Sequence, residues 1–336
     1  MTETAASGAP GPAAPPPPRR RRLRTVLLAV ATLLVIAVGA VAVYALTVER
    51  RITSNITRGV ELSTGTPSGS EQAPVTGALN YVLLGSDSRE DADPTEGRSD
   101  TLMVVHLNAS RTKAYIVSFP RDMWVSIPGY GRDKINAAYA LGGPALTVQT
   151  LEDLTHTRMD HVVLVDFEGF IALTEDLGGV TLPNKTAFSS HGFDYPKGEV
   201  TVAGEEALWF VRERKSLPGG DLDRAENQRH VIKAIVTKGL SAGVISDPAR
   251  FTAFVGNLSQ HLVVDTGLTD AEIRSTALSL RLGGADIELL QAPLAGFDTI
   301  EGQAVDLIDT AKMEELATAL RDDEMAAYVA KYPPSS

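Results

Sequence analysis

The chain has no cysteine, so disulfides, thiolate metal centres and a cysteine nucleophile are excluded. It also lacks net positive charge. The formal charge is −11, which argues against a general nucleic-acid binder. An anionic substrate must then be held by local cation clusters or a metal, not by the field of the whole protein. Several common catalytic signatures are missing too. There is no G-x-x-x-x-G-K-[ST] loop, no G-x-G-x-x-G after a strand and no H-E-x-x-H, which removes the standard nucleotide-binding and zinc-protease readings. Histidines are few and scattered. His156 and His161 stand closest, but their spacing fits no metal pair on a helix face, so they read as ordinary loop or core residues.

What is present begins with a readable address. Residues 1–24 are a Pro- and Ala-rich stretch ending in "RRRRLR", expected to be a disordered, basic cytoplasmic tail. Residues 25–48 carry no charge. As a helix they would be ~35 Å long, enough to cross a ~30 Å hydrocarbon core. The run is longer than the ~7–15 residues of a signal-peptide core, so a retained single transmembrane helix is expected. The arginines before it keep the amino terminus in the cytoplasm and place the rest of the chain outside the cell membrane. Residues 49–79 are rich in Gly, Ser, Thr and Pro and read as an extracytoplasmic tether. Residues 80–332 show no internal linker and read as one domain.

Within that domain short apolar runs alternate with helical patterns. "YVLLG", "TLMVVHL", "KAYIVSF", "DHVVLVDF" and "DIELLQA" read as strands from their β-branched and aromatic content. "KINAAYALGGPALTVQTLEDLT" reads as a short helix, a turn at Gly142-Gly143 and a longer helix with Pro144 near its start. "FEGFIALTEDLGG", "DLDRAENQRHVIKAIVTKGLS", "DPARFTAFVGNLSQHL", "TDAEIRSTALSLRL" and "DTAKMEELATALRDD" also read as helices. The alternation predicts a layered α/β fold with helices on both faces of a sheet.

Opposite charges gather at the breaks between these elements. "LGSDSREDADPTEGRSDTLMVV" places Asp87, Arg89, Arg98 and Asp100 at the facing ends of two strands. "SFPRDMW" places Arg121 and Asp122 just after a strand, and Lys134 precedes a helix. In "FVRER", Arg212 and Arg214 are two apart, which in a strand would put both on one face. Arg224 and Gln228 are four apart and share a helix face. Ligands of open α/β sheets bind beyond the carboxyl ends of strands. Arginine forks suit phosphate oxygens, and carboxylates suit Mg²⁺ bridging to phosphate. Any one Arg–Asp pair could be a surface salt bridge worth ~0–1 kcal/mol. Five clusters, all at pattern breaks, point instead to a site for a phosphoric anhydride bound with a divalent cation.

Taken in order, "NYVLLGSDSR", "GRSDTLMVVHL", "VSFPRDMWVSIPG", "KINAAYALGGP", "DHVVLVDFEGF", "LGGV", "VRERKSLPGGDLDR" and Gln228 resemble the LytR-CpsA-Psr family of bacterial envelope enzymes. The resemblance spans about residues 80–237. It implies a three-layer α/β/α sandwich with a central mixed sheet and an apolar pocket for a prenyl chain. "AAYALGGPALTVQTL" and "GFIALTEDL" are candidate linings of that pocket, although plain core packing explains them equally well. It also implies a transferase that moves a glycopolymer, with its phosphate, from a polyprenyl-pyrophosphate carrier to peptidoglycan. A muramic acid hydroxyl would form the new phosphodiester, and the polymer would be a teichoic acid, capsule or arabinogalactan. The implied partners are that carrier, peptidoglycan and the bilayer, without nucleic acid.

By position, the resemblance makes Asp87 and Asp100 the metal ligands, for Mg²⁺ or alternatively Mn²⁺. Arg98, Arg121 and Asp122 would form the catalytic group, Asp122 orienting an arginine. Arg89, Lys134, Arg212, Arg214, Arg224 and Gln228 would hold the pyrophosphate. Many members carry an arginine three residues after the position of Arg224. Here that position is Asn227, with Arg229 the nearby cation. The rival readings are a polyprenyl-pyrophosphate pyrophosphatase and a prenyl-linked glycan-binding protein without turnover. A transcriptional regulator does not fit, because no helix-turn-helix stands out and the outer domain is acidic.

Overall fold

Short β-branched runs and amphipathic helices assemble around one large sheet. The computed structural model describes residues 56–62, 77–86, 99–239, 241, 256 and 259–334. The first part of the chain gives β1 (Thr57–Val60), β2 (Leu79–Ser86), β3 (Ser99–Leu107), β4 (Ala114–Ser118), β5 (Trp124–Ile127), β6 (Gly131–Lys134), α1 (Ile135–Thr155) and β7 (His161–Val165). The middle gives α2 (Phe167–Asp176), β8 (Val180–Asn184), β9 (Phe188–Ser190), β10 (Phe193–Tyr195), β11 (Gly198–Val202), α3 (Gly204–Arg212) and α4 (Asp221–Gly239). The last part gives β12 (Leu262–Asp265), α5 (Asp270–Ser279), β13 (Ile287–Gln291), β14 (Leu294–Ile300), β15 (Gln303–Ile308), α6 (Thr310–Arg321) and α7 (Met325–Lys331).

Among the described residues, seven strands form one mixed sheet in the order β1-β12-β7-β2-β3-β4-β13. β2 is parallel to β7 and antiparallel to β3, β3 is antiparallel to β4, and β4 is parallel to β13. The carboxyl ends of β2, β4, β7 and β13 therefore share one edge with the amino end of β3. Ser86, Ser99, Ser118 and Gln291 mark that edge. Gly85 fits it tightly, since a Cβ there would lie 2.9 Å from the Thr101 side chain.

Side chains alternate across the strands. Val82, Leu84, Leu102, Val104 and Val117 face a core shared with Ile135, Ala138 and Leu151 of α1 and with Met313 and Leu316 of α6. Met103, Leu107, Ala114 and Ile116 face the other way, against Ile232 and Val236 of α4. Helices thus cover both faces, as the alternation predicts. Each fully buried large apolar side chain contributes ~1.5–3 kcal/mol. A third cluster joins α2, α3 and β8–β11 to Val231 and Ile235 of α4, so α4 is packed from two sides and held firmly.

The expected break in α1 is present. Gly142 and Gly143 leave helical geometry (φ −153° and +65°) just before Pro144. Of the apolar residues proposed for a prenyl pocket, Ala138, Tyr139, Val148 and Leu151 belong to one core cluster and Leu173 and Leu177 to another, while Leu141 is 43% exposed. "ALWFVR", read with strand spacing, is instead the helix α3. Ala207, Leu208, Phe210 and Val211 are buried while Arg212 is exposed, and a short apolar run cannot separate the two geometries. Thr57–Val60, inside the segment read as a tether, pairs with β12 at the sheet edge. Four residues with one buried side chain leave almost no pattern to read. The helix expected over 247–262 and residues 1–48 fall largely or wholly outside the described residues. Among the described residues no helix is long and apolar enough to cross a membrane.

Candidate active site

The site is built at the sheet edge where β4 ends. Phe119 still pairs, its N–H donating to Leu102 O at 2.8 Å. Pro120 then ends the strand, because it has no N–H to continue a ladder. Its carbonyl accepts from Met123 N (3.1 Å), a tight turn that projects Arg121 and Asp122 from the edge. The Met123 carbonyl accepts from Ile135 N (2.8 Å), which brings Lys134 alongside. From the far side, α4 begins at Asp221. A carboxylate in the first turn of a helix is favoured by the helix dipole.

These elements converge on Asp221. Its Oδ2 lies 2.6 Å from Arg121 Nε and 2.9 Å from an Arg224 guanidinium nitrogen, and its Oδ1 lies 3.5 Å from Arg214. Asp122 Oδ1 binds Lys134 Nζ at 2.9 Å, and its other oxygen lies 3.7 Å from Arg121 Nε. Gln228, one turn beyond Arg224, donates to Val211 O at 3.3 Å. A cavity of about 10 Å³ separates α4 from the sheet here. Ser118, Arg121, Arg224 and Gln228 line it. Four cations thus face Asp122 and Asp221, with Asp306 beside those two carboxylates, which leaves one positive charge in surplus in a partly buried pocket. Such a cluster can hold an anion with more than one charge, most effectively by bidentate guanidinium contacts.

Of the residues singled out from sequence, Arg121, Asp122, Lys134, Arg214, Arg224 and Gln228 come together here. Arg212 points to a different contact. It is the last residue of α3, and its guanidinium lies over the Trp209 ring, 5.1 Å from the centroid. Its pairing with Arg214 on one strand face does not occur, because the segment is helical. Asp87, Arg89 and Arg98 lie outside the described residues. Asp100 lies in β3, though its side chain is not among those described. The Ser86–Ser99 pairing sets the backbone of Asp100 one residue in from the same edge. Among the described residues no group of three or more His, Asp or Glu could hold a metal ion.

Asp221 and Asp306 were not singled out, and Arg229 was read only as the cation near Asn227. Asp221, three before Arg224, carried the signal of an acid opening a helix with a cation one turn on. Asp306 carried none. It reaches the site through β15, where its N–H donates to Asp122 O at 2.9 Å. It is 9% exposed, and among the described residues no cation pairs with it. Burial, then repulsion from Asp122 and Asp221, pushes its carboxyl up to about 6, with Lys134 opposing. Arg229 is 8% exposed and donates to the Ser118 hydroxyl. Burial lowers its guanidinium to about 10.

The LytR_cpsA_psr family model matches residues 46–322. A polyisoprenyl-teichoic acid–peptidoglycan teichoic acid transferase TagU of Enterococcus faecalis is 33% identical over 241 residues, 70% of this chain and 78% of the relative. The enzyme of that name from Oceanobacillus iheyensis is 39% identical over 186 residues, but the match spans 57% of its length. The solved structure of TagT bound to LIIa-WTA superimposes with a TM-score of 0.60 at 29% identity, over 80% of this chain and all of that one. With a family model covering most of the sequence and a relative 33% identical over 70% of the chain, the chain belongs to the LytR-CpsA-Psr family.

Proposed function

We propose that the protein is a membrane-anchored transferase that moves a glycopolymer with its phosphate from a polyprenyl-pyrophosphate carrier to peptidoglycan. The observation that carries this reading is the convergence of Arg121, Arg214 and Arg224 on Asp221 at the carboxyl edge of the sheet. A pyrophosphate offers these guanidiniums more charge and more acceptor oxygens than Asp221 does, so it displaces that carboxylate. Names of the teichoic acid transferase relatives support the donor and acceptor classes.

The acceptor, a muramic acid hydroxyl, attacks the phosphorus next to the sugar. A new P–O bond forms, the anhydride P–O bond breaks, and polyprenyl phosphate leaves with the electron pair. Catalysis of this kind is positioning plus electrostatic stabilisation. Arg121, together with Arg98, would meet the phosphoryl oxygens, Asp122 holds Arg121 and Lys134, and Arg214, Arg224 and Gln228, with Arg89, would complete the donor grip. Asp87 and Asp100 would hold Mg²⁺, which supplies charge neutralisation at the pyrophosphate. Asp122 stays engaged with Lys134 and Arg121, whereas the pyrophosphate releases Asp221. Asp306, with which no cation pairs among the described residues, takes the hydroxyl proton, and its raised affinity for protons suits a general base near neutral pH.

The transmembrane helix at 25–48 keeps the domain beside a lipid carrier that never leaves the bilayer, with the amino terminus cytoplasmic. The test is a transfer assay on the full chain in detergent. It uses a synthetic prenyl-pyrophosphoryl saccharide, Mg²⁺ and uncrosslinked peptidoglycan oligomers, with products read by mass. Phosphosaccharide attached to the oligomer is the expected product. Free phosphosaccharide would instead make the protein a pyrophosphatase, and an intact donor that still binds would make it a binding protein.

A further inference from the structure

A cleft of about 1420 Å³ runs along the side of α4 away from Arg224 and Gln228. Its charge runs against that of the whole chain. Asp and Glu outnumber Lys and Arg by 42 to 31 in the sequence, yet six Lys and Arg against three acids line this cleft. Two of those acids are engaged: Glu226 by Lys185 at 2.8 Å, and Asp223 by the Gly219 N–H at 2.7 Å. Three of the cations have only neutral partners. Lys233 Nζ donates to Ile287 O at 2.6 Å, Lys238 Nζ to Gly179 O, and Arg229 to the Ser118 hydroxyl. Among the described residues no carboxylate forms an ion pair with any of the three, although Glu226 lies near enough to Arg229 to favour its charge. A buried guanidinium with a single neutral acceptor is costly unless an anion completes it.

The cleft also meets the active site. Its wall at Gln291–Leu294 continues from the carboxyl end of β13, the same sheet edge that carries Arg121. Ser118, which lines the small cavity beside Arg121 and Arg224, accepts from Arg229 through its hydroxyl and from Ala292 N through its carbonyl (2.8 Å). Tyr332 also lines the cleft, with Lys312 and Lys331 at 5.7 and 5.1 Å from its ring centroid. The volume exceeds the ~300–1,000 Å³ of ordinary small-molecule pockets, which suits a segment of polymer.

We infer that this cleft binds the acceptor, a peptidoglycan strand whose carboxylates meet Arg229, Lys233 and Lys238 while its sugars lie along Tyr332. The inference rests on the transferase reading. The donor's pyrophosphate takes the Arg121–Arg224 side of α4, and the cleft on the other side is open to the second substrate at the same edge.

The test is Lys233→Glu with Lys238→Glu in the full chain, with a thermal melt to confirm folding. Two readouts are taken: direct titration with soluble uncrosslinked peptidoglycan oligomers, and KM for acceptor and donor separately. Affinity and KM for the oligomers should worsen tenfold or more, with donor KM and kcat within twofold. Unchanged oligomer affinity overturns the inference, as does a rise confined to donor KM. Titration needs no turnover. A wild type that binds oligomers through these lysines but transfers nothing would sink the transferase reading and leave the cleft assignment standing. Should the double variant not fold, Lys233→Gln alone, expected to weaken oligomer binding threefold or more, decides on the same readouts.

Discussion

Replacing Asp306 by Asn should make the protein more stable and less active. The carboxyl is 9% exposed, beside Asp122 and Asp221, and is pushed up to about 6 from an ordinary value of 3.8. Its folded-state proton affinity is therefore raised. The native state holds a proton that the unfolded chain releases between those two values. The stabilising contribution is fully present below pH 3.8 and is lost as pH rises through about 6. Two pKa units correspond to ~3 kcal/mol as an upper figure. Asparagine keeps the shape and removes the charge, so Asp306→Asn should gain ~1–3 kcal/mol at pH 7.5 and nearly nothing at pH 4. Urea unfolding at both pH values reads this as a shift in midpoint at constant slope. Transfer by the variant should fall at least a hundredfold, the lower range for loss of a general base. A variant no more stable than wild type at pH 7.5, or one whose gain is the same at pH 4, would refute the reasoning about burial and repulsion.

Asp221→Asn should leave three arginines facing one another, with Arg224 buried, and cost ~1–3 kcal/mol. Inorganic pyrophosphate should restore its melting temperature by more than it raises that of wild type, because the anion then replaces the lost carboxylate. Equal shifts would mean that Asp221 does not occupy the anion's place. Gly85→Ala should destabilise by ~1–3 kcal/mol in a thermal melt, since the new Cβ falls 2.9 Å from Thr101 in the paired strand. An unchanged melt would mean that the β2–β3 edge yields more readily than its packing implies.

Sequence carried the strands of the sheet well, because β2, β3, β4, β7 and β13 are short apolar runs bounded by breakers, with β-branched residues concentrated in β3, β4 and β7. It carried α4 and α6 through their helical spacing. The β8–β11 and β14–β15 pairings went unread, since strands this short give too little pattern to read even where β8 and β11 alternate buried and exposed residues, and their partners are set by tertiary packing. Arg121, Lys134, Arg214 and Arg224 were legible because they sit at pattern breaks. Asp306 was not, because nothing near it in sequence marks a residue that reaches the site only when β15 docks beside Met123. Arg229 was visible as a cation near Asn227, but its contact with Ser118 and its place on the cleft belong to the fold.

The central claim is that the cluster around Asp221 serves a pyrophosphate whose phosphoryl group is handed to peptidoglycan. The most direct measurement is the transfer assay on the full chain, run with wild type and Arg121→Gln side by side and read by mass. The account predicts phosphosaccharide joined to the peptidoglycan oligomer by wild type, and a loss of at least a hundredfold in the variant while the melting temperature stays within a few degrees. Attachment that proceeds equally well without Arg121 would contradict it.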